Sequence, residues 1–238
     1  MPQKPMRIIV GCESSGVVRD EFAKRGHDAW SCDLLPCVRG GQHLQCDVLS
    51  VLDRDWDLGI FHPPCTYLTV SAAWAFNDPD FERYPGVGYH QKVRPGTLTG
   101  QKRRDARDEA VQFVKSIRES GIPLLGFENP VGSLSTRWRQ PDQTIQPYDF
   151  GEDASKKTCL WLIGLPLLKA TKRFNGRIVT DPRTGKLVER WSNQTDGGQN
   201  KESPSDDRWQ IRSVTYQGVA SAMADQWSDP TAFDRMLF

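Results

Sequence analysis

Short apolar runs that end in polar or proline-rich breaks, with amphipathic stretches between them, set the fold class of this chain. Arg7 to Val10 (RIIV) is β-rich and stops at Gly11; the turn CESSG follows, and in VVRDEFAKRG the apolar Val17, Val18 and Phe22 recur at helical spacing. His27 to Asp33 predicts a second strand with an acid at its carboxyl end, and Cys46-Asp47-Val48 a weaker third. Asp57 to Phe61 (DLGIF) reads as a fourth, stopped by His62-Pro63-Pro64-Cys65 because prolines cannot continue a ladder. Gln101 to Glu119 predicts an amphipathic helix. Pro123 to Phe127 predicts a fifth strand ending in Glu128-Asn129-Pro130, with two more at Thr144 to Tyr148 and Cys159 to Ile163. This alternation predicts an α/β fold with a mostly parallel, seven-stranded sheet covered on both faces.

Other segments depart from that rhythm. Thr66 to Gly100 is aromatic, Gly- and Pro-rich and longer than an ordinary connection, which predicts a lid or flap. From Lys169 to Arg208 the chain turns polar and basic, and Val214 to Trp227 reads as a closing helix. The expected organisation is a core over 1–168, a small insert over 169–208 and a C-terminal segment over 209–238. With 31 Lys plus Arg against 30 Asp plus Glu, no global basic field exists, so any nucleic-acid surface must be local. The six cysteines form no CxxC pair and no Cys/His grouping at metal spacing, so reduced thiols and no metal are expected. MPQKPMRIIVG runs directly into a strand and no apolar run reaches membrane length, which predicts a soluble, cytoplasmic, monomeric protein.

In an open α/β sheet, ligands bind beyond the carboxyl ends of the strands. Glu13 to Gly16, Asp33, Asp47, Cys65 and Glu128 fall at such ends. Asp33 stands where a ribose-binding acid would, yet GxGxxG is absent, which favours an adenosyl cofactor without a pyrophosphate over a dinucleotide. Asp33 and Asp47 read equally as turn or cap residues. A lone cysteine usually behaves as a small hydrophobe, but two prolines at a strand end would present Cys65 rigidly, as a nucleophile requires. Glu128, closing an apolar strand, is expected to be desolvated, with a raised pKa that makes it an acid at neutral pH.

Pro63-Pro64-Cys65 followed by Glu128-Asn129-Pro130 resembles the catalytic centre of the DNA (cytosine-5)-methyltransferase family. Cys12-Glu13-Ser14-Ser15-Gly16 is similar to that family's cofactor loop, and Asp105-Ala106-Arg107 to the Asp-x-Arg that opens the helix before the Glu-Asn strand. Asp149 to Lys157 resembles its segment ending in basic residues, and Tyr216 to Ala220 its cofactor-facing C-terminal segment. Thr66 replaces the usual Gln, Pro130 the usual Val, Lys156 and Lys157 the paired arginines, and Val219 the usual Asn.

The resemblance implies a Rossmann-like S-adenosyl-methionine-dependent methyltransferase fold that transfers methyl to carbon 5 of a cytosine flipped from duplex DNA, in a compact, bacteriophage-like member. It implies Cys65, Glu128, Asn129 and Lys157 as catalytic residues. It implies Cys12, Glu13, Ser14, Ser15, Gly16, Asp33, Leu34, Asp47, Pro63, Gly218 and Ala220 as cofactor contacts. Thr66, Lys156, Lys172, Arg173 and Arg177 would meet DNA, although a solvated charged hairpin explains the insert equally well. Trp74, Phe76, Tyr84 and Tyr89 of the flap would either wedge behind the base or pack the loop down. Action on RNA, single-stranded DNA or a free nucleotide, and catalytically inactive nucleic-acid binding, are the competing readings.

Overall fold

The computed structural model describes residues 4–201 and 213–228 of the chain. β1 (Arg7–Gly11), β2 (Asp28–Asp33), β3 (His43–Gln45), β4 (Leu58–Phe61), β5 (Leu124–Pro130), β6 (Gln143–Ile145) and β7 (Thr158–Ile163) form a seven-stranded sheet in the order β3-β2-β1-β4-β5-β7-β6. Neighbours run parallel except at β7, which is antiparallel to both β5 and β6. The fold is therefore α/β with a mostly parallel central sheet, as the alternation predicts.

Parallel strands buried on both faces carry continuous apolar runs, and RIIV is one because its alternate residues enter different cores. Ile8 and Val10 join Phe22 of α1 (Val17–Lys24) and Met223 and Trp227 of α4 (Gln217–Trp227) on one face. Ile9, Phe61 and Phe127 join Val111, Val114 and Ile117 of α2 (Gly100–Arg118) on the other. A short helix, α3 (Leu134–Arg137), follows β5.

Several boundaries differ from expectation, β5 among them, which runs on through Glu128 and Asn129 to Pro130 where it pairs with β7. The third strand is His43–Gln45 and not 46–48, because the Asp47 carboxylate accepts a hydrogen bond from the Leu49 amide (2.9 Å) and starts a 3₁₀ turn at Val48–Val51. β6 ends at Ile145, since Pro147 opens a second 3₁₀ turn. The last helix starts at Gln217, not Val214. In the insert, β8 (Arg177–Thr180) and β9 (Leu187–Arg190) pair as a separate antiparallel hairpin. Trp191 stacks flat on Tyr148 at 3.9 Å and holds that hairpin to the core. The predicted end of the insert at Arg208 lies outside the described residues. Among the described residues no helix is long and apolar enough to cross a membrane, and no group of three or more His, Cys, Asp or Glu is placed to hold a metal ion.

The segment after Cys65 is irregular apart from a 3₁₀ turn at Ala73–Phe76, and α2 pins it down. Arg103 donates to the Thr66 carbonyl (3.2 Å) and Arg104 to the Phe76 carbonyl (2.7 Å). Trp74 packs edge-on against Tyr89 and His90, so these flap aromatics hold the segment together. The far side of the Cys65 turn is stitched to the chain leaving β5: Ser133 N donates to the Leu68 carbonyl at 2.6 Å, beside a bridge between Thr69 and Gly132. A Cβ on Gly132 would lie 1.8 Å from that carbonyl, so only glycine allows the approach. Gly132→Ala is expected to destabilise the protein by about 1–3 kcal/mol, the usual scale of overpacking. Urea unfolding reads this directly, and an unchanged midpoint would show that the approach is dispensable.

Candidate active site

The β4–β5 register pairs Phe61 with Phe127, so the residues just beyond, His62 and Glu128, meet on one face of the sheet edge. His62 Nδ1 lies 2.8 Å from Glu128 Oε2. One residue further, on the opposite face, Asn129 Nδ2 donates to the Pro63 carbonyl at 2.7 Å. Glu128 and Asn129 are both buried, and His62 Nε2 and Asn129 Oδ1 are buried with no hydrogen-bond partner among the described residues. Pro63 is thus fastened to β5, and Cys65 follows two residues on. The Cys65 carbonyl accepts from the Leu68 and Thr69 amides, both at 3.0 Å, closing the turn that returns the chain to Gly132. Of the six cysteines, Cys65 is the exposed one.

The expectation that Glu128 is a neutral acid is not met. Burial is the largest influence and pushes its pKa up. The Lys156 charge, the His62 hydrogen bond and charge, and a hydrogen bond from Thr158 outweigh it and hold the carboxyl down to about 2. Glu128 is therefore a carboxylate. A buried anion is tolerated only when paired and hydrogen-bonded, and these three groups supply that.

Lys156, not Lys157, lies on the Glu128 side of β7. β7 runs antiparallel to β5 with Glu128 opposite Leu160, so side chains alternating from Leu160 through Thr158 put Lys156 on the Glu128 face. Lys156 lines a small recess with Glu128, Thr158 and Tyr216. Lys157, the residue expected to act in catalysis, is exposed and acts instead on Cys159, whose thiol burial pushes up while Lys157 opposes that shift. The recess holds about 10 Å³, room for one water. A pyrimidine ring enters only if groups around it, Tyr216 among them, move.

A larger cavity of about 300 Å³ opens on the opposite face, where α2 covers the sheet. Cys12, Asp33, Leu34 and Asp47, four of the expected cofactor contacts, line it, together with Val48, Phe113, Pro64 and Thr66. The run from His62 to Thr66 therefore crosses the sheet edge from the Glu128 recess to this cavity, with Cys65 between Pro64 and Thr66. The Asp33 carboxylate accepts from the Leu35 amide at 2.9 Å, so Asp33 and Asp47 are both turn-capping residues and cavity-lining residues. Burial pushes the Cys12 thiol far up, reinforced by Asp33, Cys32 and Asp47.

The other expected cofactor contacts do not line that cavity. Glu13 is buried and caps α1, accepting from the Val18 amide at 2.8 Å, the Arg19 amide at 3.4 Å and the Ser15 hydroxyl at 3.1 Å. Ser14, Ser15 and Gly16 complete that turn, with Gly16 in the left-handed region as the helix cap. Pro63 is buried, Gly218 packs against the Phe150 carbonyl and donates to Glu152 at 2.7 Å, and Ala220 is fully enclosed in the core.

In the insert, Arg173 bonds Asp149 (3.2 Å) and Glu189 (2.6 Å) while lying over Tyr148, and Arg177 bonds Asp196 (2.8 Å) and two carbonyls. Both arginines serve the hairpin itself; Lys172 is exposed. His62, Tyr67, Ala110 and Phe113 are site or cavity residues that sequence reasoning missed. His62 had a readable signal, since it directly precedes the prolines at the end of β4.

Compared with family models and with curated proteins, the chain matches none. Two outcomes follow from the geometry. Limited alkylation followed by peptide mass spectrometry is expected to label Cys65 ahead of the other five thiols; equal labelling would contradict its exposure. Because the Glu128 pKa is lowered from 4.5 to about 2, its ion pairing stabilises the fold above pH 4.5, and that contribution is lost as pH falls toward 2. Wild type is therefore expected to lose more stability than Glu128→Gln over that window. Parallel stability curves would mean that folding does not shift the carboxyl's pKa.

Proposed function

We propose that this protein is an S-adenosyl-methionine-dependent (cytosine-5)-methyltransferase acting on DNA, with Cys65 as nucleophile and Glu128 as the residue that holds the base. The observation that carries the reading is the junction at the sheet edge. There the exposed Cys65 thiol follows a Pro-Pro turn whose preceding residues are bonded to Glu128 and Asn129, and whose flanking residues line a cavity. The same catalytic pair underlies the resemblance to the cytosine-5 family.

The cavity suits an adenosyl group. Its lining is largely apolar, with Val48, Phe113 and Leu34 beside the two carboxylates Asp33 and Asp47. Each acid uses one oxygen on a neighbouring amide and has the other for a ligand, Asp33 for ribose hydroxyls and Asp47 for an exocyclic amine. S-adenosyl-methionine bound there would supply an electrophilic methyl group on sulfonium sulfur.

Carbon 5 of cytosine is too weak a nucleophile to take that methyl unaided. Addition of the Cys65 thiolate to carbon 6 forms a C–S bond and makes carbon 5 electron-rich while N3 gains a proton. Glu128, as a carboxylate, accepts from the exocyclic amine and from protonated N3. The proton reaches N3 through the His62–Glu128 hydrogen bond, which makes His62 part of the proton path. Asn129 holds the Pro63 carbonyl and so fixes the turn that aims the thiol. Once carbon 5 carries the methyl, a base removes the carbon 5 proton, the C–S bond breaks to return the thiolate, and N3 gives back to Glu128 the proton it gained.

Wild-type protein with duplex DNA and a tritiated methyl donor is expected to label the DNA, and Cys65→Ser to give none. Unlabelled DNA from wild type that demonstrably binds the donor would overturn the reading. His62→Gln is expected to lower kcat about 10²-fold or more with KM little changed, the signature of a lost proton-transfer group.

A further inference from the structure

The first two turns of α2 stand at the carboxyl edge of the sheet, because α2 leads down into the start of β5. Arg103 and Arg107, four residues apart, share one face of this helix, and both guanidinium groups lie over the Phe76 ring, at 4.8 and 4.6 Å. Their neighbours are neutralised: Arg104 pairs with Asp78 at 2.9 Å and Arg137 of α3 with Asp108 at 3.1 Å. Arg103 has a structural task, holding the Leu98 carbonyl and the carbonyl of Thr66, the residue after Cys65.

Arg107 has no such task. Its side chain is 11% exposed and lies over Phe76, and its Nε forms an ion pair at 3.6 Å with Asp108, a carboxylate it shares with the closer Arg137. Its terminal nitrogens bond nothing among the described residues. Burial, and then repulsion from Arg137 and Arg104, lower its pKa, with Asp108 opposing. A cation repelled by its neighbours, whose one carboxylate is shared and whose terminal donors are unused among the described residues, is available to an anionic ligand. The Phe76 stack fixes the guanidinium plane, leaving a planar fork of donors that matches phosphate oxygens.

We propose that Arg107, flanked by Arg103 and Arg137, is a phosphate-binding site beside the Cys65 turn that takes a backbone phosphodiester of the strand carrying the reacting base. The choice of strand phosphate rests on the nucleic-acid reading above; the phosphate chemistry itself would equally accept the phosphate of a free nucleotide. Placement is consistent with either, since Ala110 and Phe113, the next turns of α2, line the 300 Å³ cavity.

Fluorescence anisotropy with a short labelled DNA duplex tests the site. Arg107→Gln is expected to weaken binding about tenfold and to reduce the slope of log affinity against log salt by about one. Arg107→Lys restores the slope but not the full affinity, because a point charge replaces the fork. Arg139→Gln, which removes an ion pair with Asp142, leaves the slope unchanged. The Tm of Arg107→Gln stays level or rises, and calorimetric affinity for S-adenosyl-methionine does not move. Unchanged affinity and slope in Arg107→Gln, or a drop in Tm matching the loss of binding, overturns the site. Arg107-dependent binding of dCMP alone reassigns it to free nucleotides and overturns the strand assignment. Arg107-dependent duplex binding without any methyl transfer would instead sink the methylation reading and leave the phosphate site standing.

Discussion

The structure around the site depends on one constraint, the burial of an ionised carboxylate at the meeting of β4 and β5. An unpaired carboxylate in that position would be strongly disfavoured, so everything near Glu128 is arranged to keep it charged and bonded. The parallel register delivers His62 from β4, and the antiparallel β7 delivers Thr158 and Lys156. A shift of either partner by one residue would put Pro63 or Lys157 in those places, since side chains alternate between faces. The site is therefore only as secure as the register of three strands, and the large aromatic residues Phe61, Phe127 and Trp161 on the other face fix that register by packing.

The same constraint shapes the chemistry. A carboxylate held near a pKa of 2 is a hydrogen-bond acceptor and an anchor for positive charge, not a resting proton donor. In the proposed reaction, any proton it delivers must first come to it, and His62 Nδ1 lies 2.8 Å from it. Placing the acceptor and the proton source on different strands would, in that reaction, separate holding the ring from charging it. It also explains why the strand-end histidine and the Glu-Asn pair belong together, although 66 residues separate them in the chain.

Much of this was legible in the sequence. Strands ending in Gly11, Asp33, His62 and Glu128 announced a parallel sheet and the edge where ligands gather, and the sheet follows them closely. What stayed hidden depended on geometry that sequence spacing does not encode. The direction of the Glu128 shift required knowing that Lys156 and His62 converge on it, which is a matter of pleat and pairing. Asp47 reads in the sequence as both a strand residue and a cap, and only the turn it starts at Val48 decides for the cap. Glu13 looked like a cofactor ligand, but its carboxylate closes the first turn of α1. Arg173 and Arg177 looked like nucleic-acid contacts because charge is visible in a sequence, whereas their partners Asp149, Glu189 and Asp196 are not recognisable as partners until the hairpin forms.

That last distinction separates cations that serve the fold from cations that do not. In a chain of net charge +1, a count of arginines locates no binding surface. Arginines such as Arg25, bridging α1 to Asp225 of α4, and Arg139, bonded to Asp142, are each matched by a carboxylate. Exposed pairs of this kind contribute little stability, about 0–1 kcal/mol, but they neutralise the surface where no ligand is needed. Against that matched background, a guanidinium that shares its one carboxylate with a second arginine, as Arg107 shares Asp108 with Arg137, is informative. Local imbalance of charge beside the exposed thiol, and not overall basicity, is what a nearly neutral protein offers a polyanion.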